Sequence, residues 1–138
     1  MAGITDLQVL LSSMEPILKP NEYVFVSLGE KSLEQISDLN PVAAFKEEEG
    51  ISLVINKETA DENGIKYDSV FRLISLHVHS SLDAVGLTAA FSGALGKASI
   101  SANVVAAYYH DHIFVPADKT EQAVKVLEQL SKQNENKH

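Results

Sequence analysis

The chain has no cysteine in its 138 residues, so disulfides and thiolate metal ligation play no part in its chemistry. Cationic side chains are also scarce: 11 Lys and Arg against 19 Asp and Glu leave a net charge of −8. That balance argues against tracking a phosphate backbone and offers no polybasic patch to an anionic membrane. No apolar run approaches the roughly 20 residues that span a bilayer. The Met1 end lacks the basic stretch and apolar segment of a secretory leader. A soluble cytoplasmic protein, with no nucleic acid or membrane partner, is the expectation.

Catalytic and cofactor signatures are missing too. No glycine pattern forms a phosphate cradle, since Gly93 and Gly96 have helical spacing. Ser92 in Phe91-Ser92-Gly93-Ala94 falls within a predicted helix rather than on a strand-to-helix elbow, and Ser80-Ser81 reads as helix capping. The expectation is a non-enzyme without a cofactor.

What is present is a globular chain, with 45% hydrophobic residues, enough for one ordinary domain or two very small ones. Leu7, Leu10, Leu11 and Met14 form a helical stripe over residues 5–14, with Thr5 and Gln8 spaced as a capping box. Pro16 and Pro20 predict a loop, Tyr23 to Val26 a buried strand, and residues 30–40 a loop with one turn. Residues 42–45 and 51–55 flank Lys46-Glu47-Glu48-Glu49-Gly50 as a hairpin with a charged tip. Residues 56–63 predict a short helix ended by Gly64.

From Val70 the order is strand, helix, strand, strand, helix. The run 70–79 is β-branched and apolar. Leu87, Ala90, Phe91, Ala94 and Leu95 then make one helical face, with Gly96 placed to end it. Residues 102–109 and 113–115 predict two strands around a His110-Asp111-His112 turn. Asp118 and Glu121 cap a last helix reaching about Gln133. The fold class is α+β: tandem ferredoxin-like units, antiparallel sheets with helices packed on one face. The units are residues 1–66, incomplete or interdigitated, and 67–133, followed by a disordered tail at 134–138. The second unit lacks a closing strand, which the strand at Tyr23 or another from the first half is expected to supply.

Two constellations could carry chemistry. His77, His79, His110 and His112 come in two His-X-His pairs, and residues i and i+2 of a strand share a face. If the two strands were neighbours the imidazoles would converge, which makes a histidine-based metal-binding protein one alternative. The other constellation is Leu82-Asp83-Ala84-Val85-Gly86-Leu87, where a strand enters a helix and backbone N–H groups at the helix start favour a carboxylate. Gly86 either admits a ligand there or merely allows tight packing.

At this junction the sequence resembles the ACT domain, the amino-acid-sensing module of aspartate kinases and other biosynthetic enzymes. Asp83-Ala84-Val85-Gly86-Leu87 is similar to the family's strand-to-helix turn, with Val85 where proline is usual, and Asn103 matches its polar residue on the next strand. The run Tyr108-Tyr109-His110-Asp111-His112-Ile113-Phe114-Val115-Pro116 resembles a small stand-alone bacterial family with two ACT-like units, and also the cytosolic arginine sensors. The resemblance implies a regulatory protein that binds a small amino acid at an ACT–ACT interface. Exposed sheet edges and helix faces in such small units usually find a second copy, so a homodimer is expected. Val85, Gly86 and Leu87 would receive the ligand carboxylate and Asn103 its polar end. Leu82 and Asp83 would shape the entrance, Asp83 facing the ammonium. A bulky residue at Gly86 is expected to abolish binding and leave the fold intact. A ligand-free structural protein-interaction module is the first alternative, ahead of the metal-binding one.

Overall fold

The computed structural model describes residues 6–30, 32–78 and 85–135. In chain order the elements are α1 (Leu7–Ser13), β1 (Glu15–Leu28), α2 (Leu33–Asp38), β2 (Ala43–Glu47), β3 (Gly50–Asn56) and α3 (Lys57–Glu62). Then come β4 (Phe71–His77), α4 (Leu87–Lys97), β5 (Asn103–Ala106), β6 (Asp111–Pro116), a 3₁₀ turn (Ala117–Lys119) and α5 (Thr120–Glu135). The chain separates into two compact units, one of residues 1–20 with 72–138 and one of residues 21–71.

In the unit of residues 21–71 the strands lie in the order β2-β3-β1, antiparallel throughout. Tyr23 faces Asn56, Val26 faces Leu53 and Leu28 faces Ile51. Alternation puts Val24, Val26, Leu53 and Ile55 on one face, where they bury Ile36 and Leu39 of the α2 segment and Ala60 of α3. The charged hairpin is as expected, with Glu47 paired to Gly50 and Glu48-Glu49 at the tip. Gly50 has φ +144°, and a Cβ there would stand 2.9 Å from the Leu28 carbonyl oxygen, so a side chain has no room. Gly64 ends α3 as expected. It adopts φ +65° while its N–H and that of Ile65 donate to the Asp61 and Ala60 carbonyls, the double closure of a Schellman motif.

The segment expected to be a loop at 30–40 contains α2. Ser32 Oγ accepts from the Gln35 N–H, and Gln35 Oε1 accepts in return from the Ser32 N–H. That reciprocal cap satisfies two of the donors a short helix otherwise leaves open.

In the other unit the strand order is β1-β4-β6-β5, with β1 contributing its first residues. The closing strand that β4-α4-β5-β6-α5 lacks is therefore β1. This overturns the loop expected at Pro16 and Pro20, since both lie inside β1. N–H groups four residues apart point to the same side of a strand, and pairing of β1 with β3 begins only at Tyr23. Two missing donors on one strand edge are tolerated where that edge has no partner to bond.

Leu76, Ile74 and Val78 of the β4 segment and Ile113 and Val115 of β6 meet Leu10, Leu87, Phe91, Leu95, Ala123 and Leu127 from the helices. α1 packs on α5, and the Ser131 hydroxyl ties them by donating to the Ser12 carbonyl at 3.2 Å. The cap of α1 is Asp6, whose Oδ1 accepts from Val9 N–H at 3.1 Å, in place of the expected box built on Thr5, which lies outside the described residues.

Gly96, expected to end α4, lies inside it, and the left-handed residue that ends the helix is Ser99, φ +61°. Ser99 and Ile100 donate to the Gly96 and Leu95 carbonyls, and Ile100 is buried in the same core as Leu95, so apolar contact holds a serine where glycine is usual. Strand β5 stops at Ala106, and Tyr108 and Tyr109 stand exposed in the connection, while Asp111 and His112 belong to β6. Lastly, a 3₁₀ turn precedes α5; neither Asp118 nor Glu121 makes a capping bond among the described residues, and Thr120 Oγ1 instead donates to the Ala117 carbonyl. α5 runs to Glu135, so Asn134 and Glu135 are helical.

Candidate functional site

The strand-to-helix junction after β4 is defined from Val85 onward; Leu82, Asp83 and His79 lie outside the described residues. Gly86 is the N-cap of α4 with φ +92° and supplies no capping side chain. The Gly86 carbonyl accepts from Ala90 N–H at 2.9 Å, so the helix is closed from its first turn. Its leading N–H groups lack an intrahelical acceptor by geometry. Val85 is 84% exposed, whereas Leu87 is 3% exposed and anchors the helix in the core. A Cβ on Gly86 would sit 3.2 Å from Leu7 Cδ2. The positive φ strains any substitution, so a bulky residue there also burdens the fold, contrary to the expectation of an unaffected fold.

Asn103 opens β5 opposite Phe114, and its side-chain amide donates to the Phe114 carbonyl at 3.2 Å. This uses part of its hydrogen-bonding capacity within its own sheet and leaves the amide oxygen as acceptor.

The histidines do gather. β4 and β6 are neighbours, and the His77 and His110 rings stack 4.1 Å apart with their planes 4° from parallel. His112 stands 6.5 Å from His110 and nearly perpendicular to it, and its Nδ1 lies 2.9 Å from the Ser75 hydroxyl. Nδ1 of His110 is buried without a hydrogen-bond partner. Desolvation first, then the neighbouring His77 and Lys19, depress the His110 pKa. His112 is depressed as well, again chiefly by desolvation and then by His110. Asp111 is raised by burial, with His112 opposing. Coplanar stacked rings turn faces, not nitrogen lone pairs, to one another. Among the described residues no group of three His, Asp or Glu side chains is arranged to hold a metal ion.

Sequence reasoning treated Arg72 only as part of a strand. Its guanidinium is half-buried, donates to the Lys19 carbonyl at 2.8 Å through Nη2, and keeps Nε buried without an acceptor. A lone arginine in an otherwise apolar run was the signal for it.

A profile described as ACT domain matches residues 2–72, and a second so described matches 68–129. The chain belongs to the ACT domain family. Its fold is α+β, built of tandem ferredoxin-like units. A Vibrio cholerae protein of unknown function, described as a possible transport protein, is 46% identical over 94% of this chain and 98% of its own, with a TM-score of 0.84. Clostridium acetobutylicum aspartate kinase shares the fold at 13% identity and TM-score 0.62, over 87% of this chain and 34% of the kinase. The regulatory subunit of Thermus flavus aspartate kinase does so at 9% identity and TM-score 0.61, over 83% and 95%. No curated protein matches the sequence. No helix among the described residues is long and apolar enough to cross a membrane.

Proposed function

We propose that the chain is a regulatory protein, not an enzyme, that senses a small amino acid at the start of α4, where ACT units of two copies meet in a cytoplasmic homodimer. The observation that carries this reading is Gly86: φ +92° at an N-cap that gives no capping side chain, so that among the described residues no side chain caps the first N–H groups of α4, beside an exposed Val85. The N–H groups of Val85, Gly86 and Leu87 would take the ligand carboxylate. The Asn103 amide oxygen would take its polar end, and Leu82 and Asp83 would complete the entrance. Ligand binding regulates only if two association states bind it unequally, since equal affinity shifts nothing.

The test is thermal unfolding against the twenty amino acids singly at millimolar concentration, with association followed by light scattering. A ligand at a hundredfold excess over its dissociation constant adds about 2.7 kcal/mol to native stability. A shift for one or two amino acids supports the sensor. No shift for any supports the second reading, a ligand-free interaction module, which the contact of Gly86 with Leu7 and the exposed Tyr108 and Tyr109 favour.

A further inference from the structure

A recess of about 590 Å³ lies entirely within the unit of residues 1–20 and 72–138, and no residue of α4 lines it. Its walls include Leu18 of β1, Arg72 of β4, Asp118 and Lys119 of the 3₁₀ turn, and Glu121 and Lys125 of α5. The volume falls in the range of roughly 300–1,000 Å³ usual for small-ligand sites.

What sets it apart is Arg72, a half-buried cation whose Nε is buried without an acceptor, in a recess that side chains of both signs line. Among the described residues none of the five ionisable groups there is ion-paired. Glu121 and Lys125 are one helical turn apart, the spacing at which such residues stabilise helices by pairing, and they do not pair. Lys119 gives its ammonium to the Ser99 carbonyl instead. Arg72 is the most telling. Its guanidinium makes one hydrogen bond among the described residues, to the Lys19 carbonyl, and is half-buried with no carboxylate beside it. A partly desolvated guanidinium is costly without an anion, and its planar fork fits a carboxylate with two parallel bonds.

We propose that this recess binds a small zwitterion, carboxylate on Arg72 and cationic group toward Asp118 and Glu121, with its apolar part against Leu18. A simple polyanion fits less well, because the two carboxylates on the rim repel it. A simple cation fits less well because Arg72 and Lys125 do. Only a ligand carrying both charges neutralises both sets. The site is separate from the α4 junction and does not depend on ligand binding there.

The experiment uses the full chain, isotopically labelled, titrated with L-alanine, acetate and ethylammonium while the Arg72 Nε–Hε signal and backbone amides are followed. L-Alanine should shift Arg72 and the amides of residues 118–121 saturably, and acetate and ethylammonium should bind at least about tenfold more weakly. Arg72→Gln should remove the response. Because that change also loses the bond to Lys19, Glu121→Gln, at an exposed position, serves as the second variant and should weaken L-alanine binding while strengthening the acetate response. Acetate binding as tightly as L-alanine, or L-alanine giving no saturable shift at Arg72, overturns the proposal. Shifts confined to Val85, Gly86 and Leu87 overturn it as well while upholding the α4 site; shifts at Arg72 and residues 118–121 with none at the start of α4 uphold this recess.

Discussion

The His77 and His110 imidazoles stack face to face, 4.1 Å between centroids and 4° from parallel, with Lys19 close enough to depress the His110 pKa. An added proton on His110 meets partial desolvation first and its neighbours His77 and Lys19 second. For His112, which is bonded to Ser75, desolvation again comes first. A histidine whose folded pKa lies below its unfolded value near 6.5 favours folding while neutral. Its contribution is complete above the unfolded pKa and is lost as the pH falls below it. Unfolding midpoints in urea should therefore drop as the pH is lowered from 7.5 to 5.5, and His110→Asn should flatten that slope. An unchanged slope in the variant would place the acid sensitivity elsewhere.

A second local cluster, in the unit of residues 21–71, rests on Asp61. Tyr67 donates its hydroxyl to Asp61 Oδ1 at 2.8 Å, and Lys57 donates to Oδ2 at 3.0 Å. The tyrosine bond is the first cause of the depressed Asp61 pKa, followed by the hydrogen bond and the charge of Lys57. Tyr67→Phe and Lys57→Met should each raise the Asp61 carboxyl pKa, read from its carboxyl carbon shift against pH. The sign follows from linkage: the Asp61 contribution is present above about pH 3.9 and fades as the pH falls through the lowered folded value. An unmoved Asp61 in Tyr67→Phe would mean that the tyrosine bond does not hold the carboxylate.

Gly86 should resist substitution on backbone grounds alone. Gly86→Ala must hold φ near +92° and place a Cβ 3.2 Å from Leu7 Cδ2. A non-glycine residue in such a conformation costs about 1–3 kcal/mol. Urea unfolding of Gly86→Ala, compared with Gly93→Ala, checks this. Gly93 is helical and its added Cβ meets no atom within 4 Å, so that change should stabilise the chain by up to about 1 kcal/mol. Equal effects at the two positions would mean that Gly86 is not under strain.

Much of this architecture was legible because each strand and long helix carries its own period. The β4 run, the α4 stripe of Leu87, Phe91 and Leu95, and the charged tip at Glu48-Glu49 needed no tertiary information. What failed depended on neighbours. Pro16 and Pro20 read as breakers because the sequence does not say that one edge of β1 is free of β3 there. Ser99 was passed over for Gly96 because its left-handed turn is held by burial of Ile100, a tertiary effect. The capping box of Ser32 and Gln35 was readable and was overlooked amid acidic residues. At the candidate sites, two His-X-His pairs were visible, but the stacking of His77 on His110 follows from β4 lying beside β6 in the sheet, which the sequence does not state. Arg72 and the charges on the 3₁₀ turn and α5 are 46 residues or more apart in sequence, and only the fold brings them together.

The start of α4 separates structure from function within three residues. Leu87 is 3% exposed and belongs to the core with Phe91 and Leu95, so Leu87→Ala should cost about 2–5 kcal/mol of unfolding free energy. Val85 is 84% exposed and buries almost nothing, so Val85→Asp should change stability by no more than about 0.5 kcal/mol. The same substitution sets a carboxylate beside the N–H groups proposed to hold the ligand carboxylate, where like charges repel. Paired measurements of urea stability and amino-acid thermal shift on Val85→Asp thus isolate the site from the fold. Intact stability with a lost ligand shift supports binding at α4. Intact stability with a full shift would move the ligand elsewhere in the chain, because no carboxylate would tolerate an aspartate at that helix start.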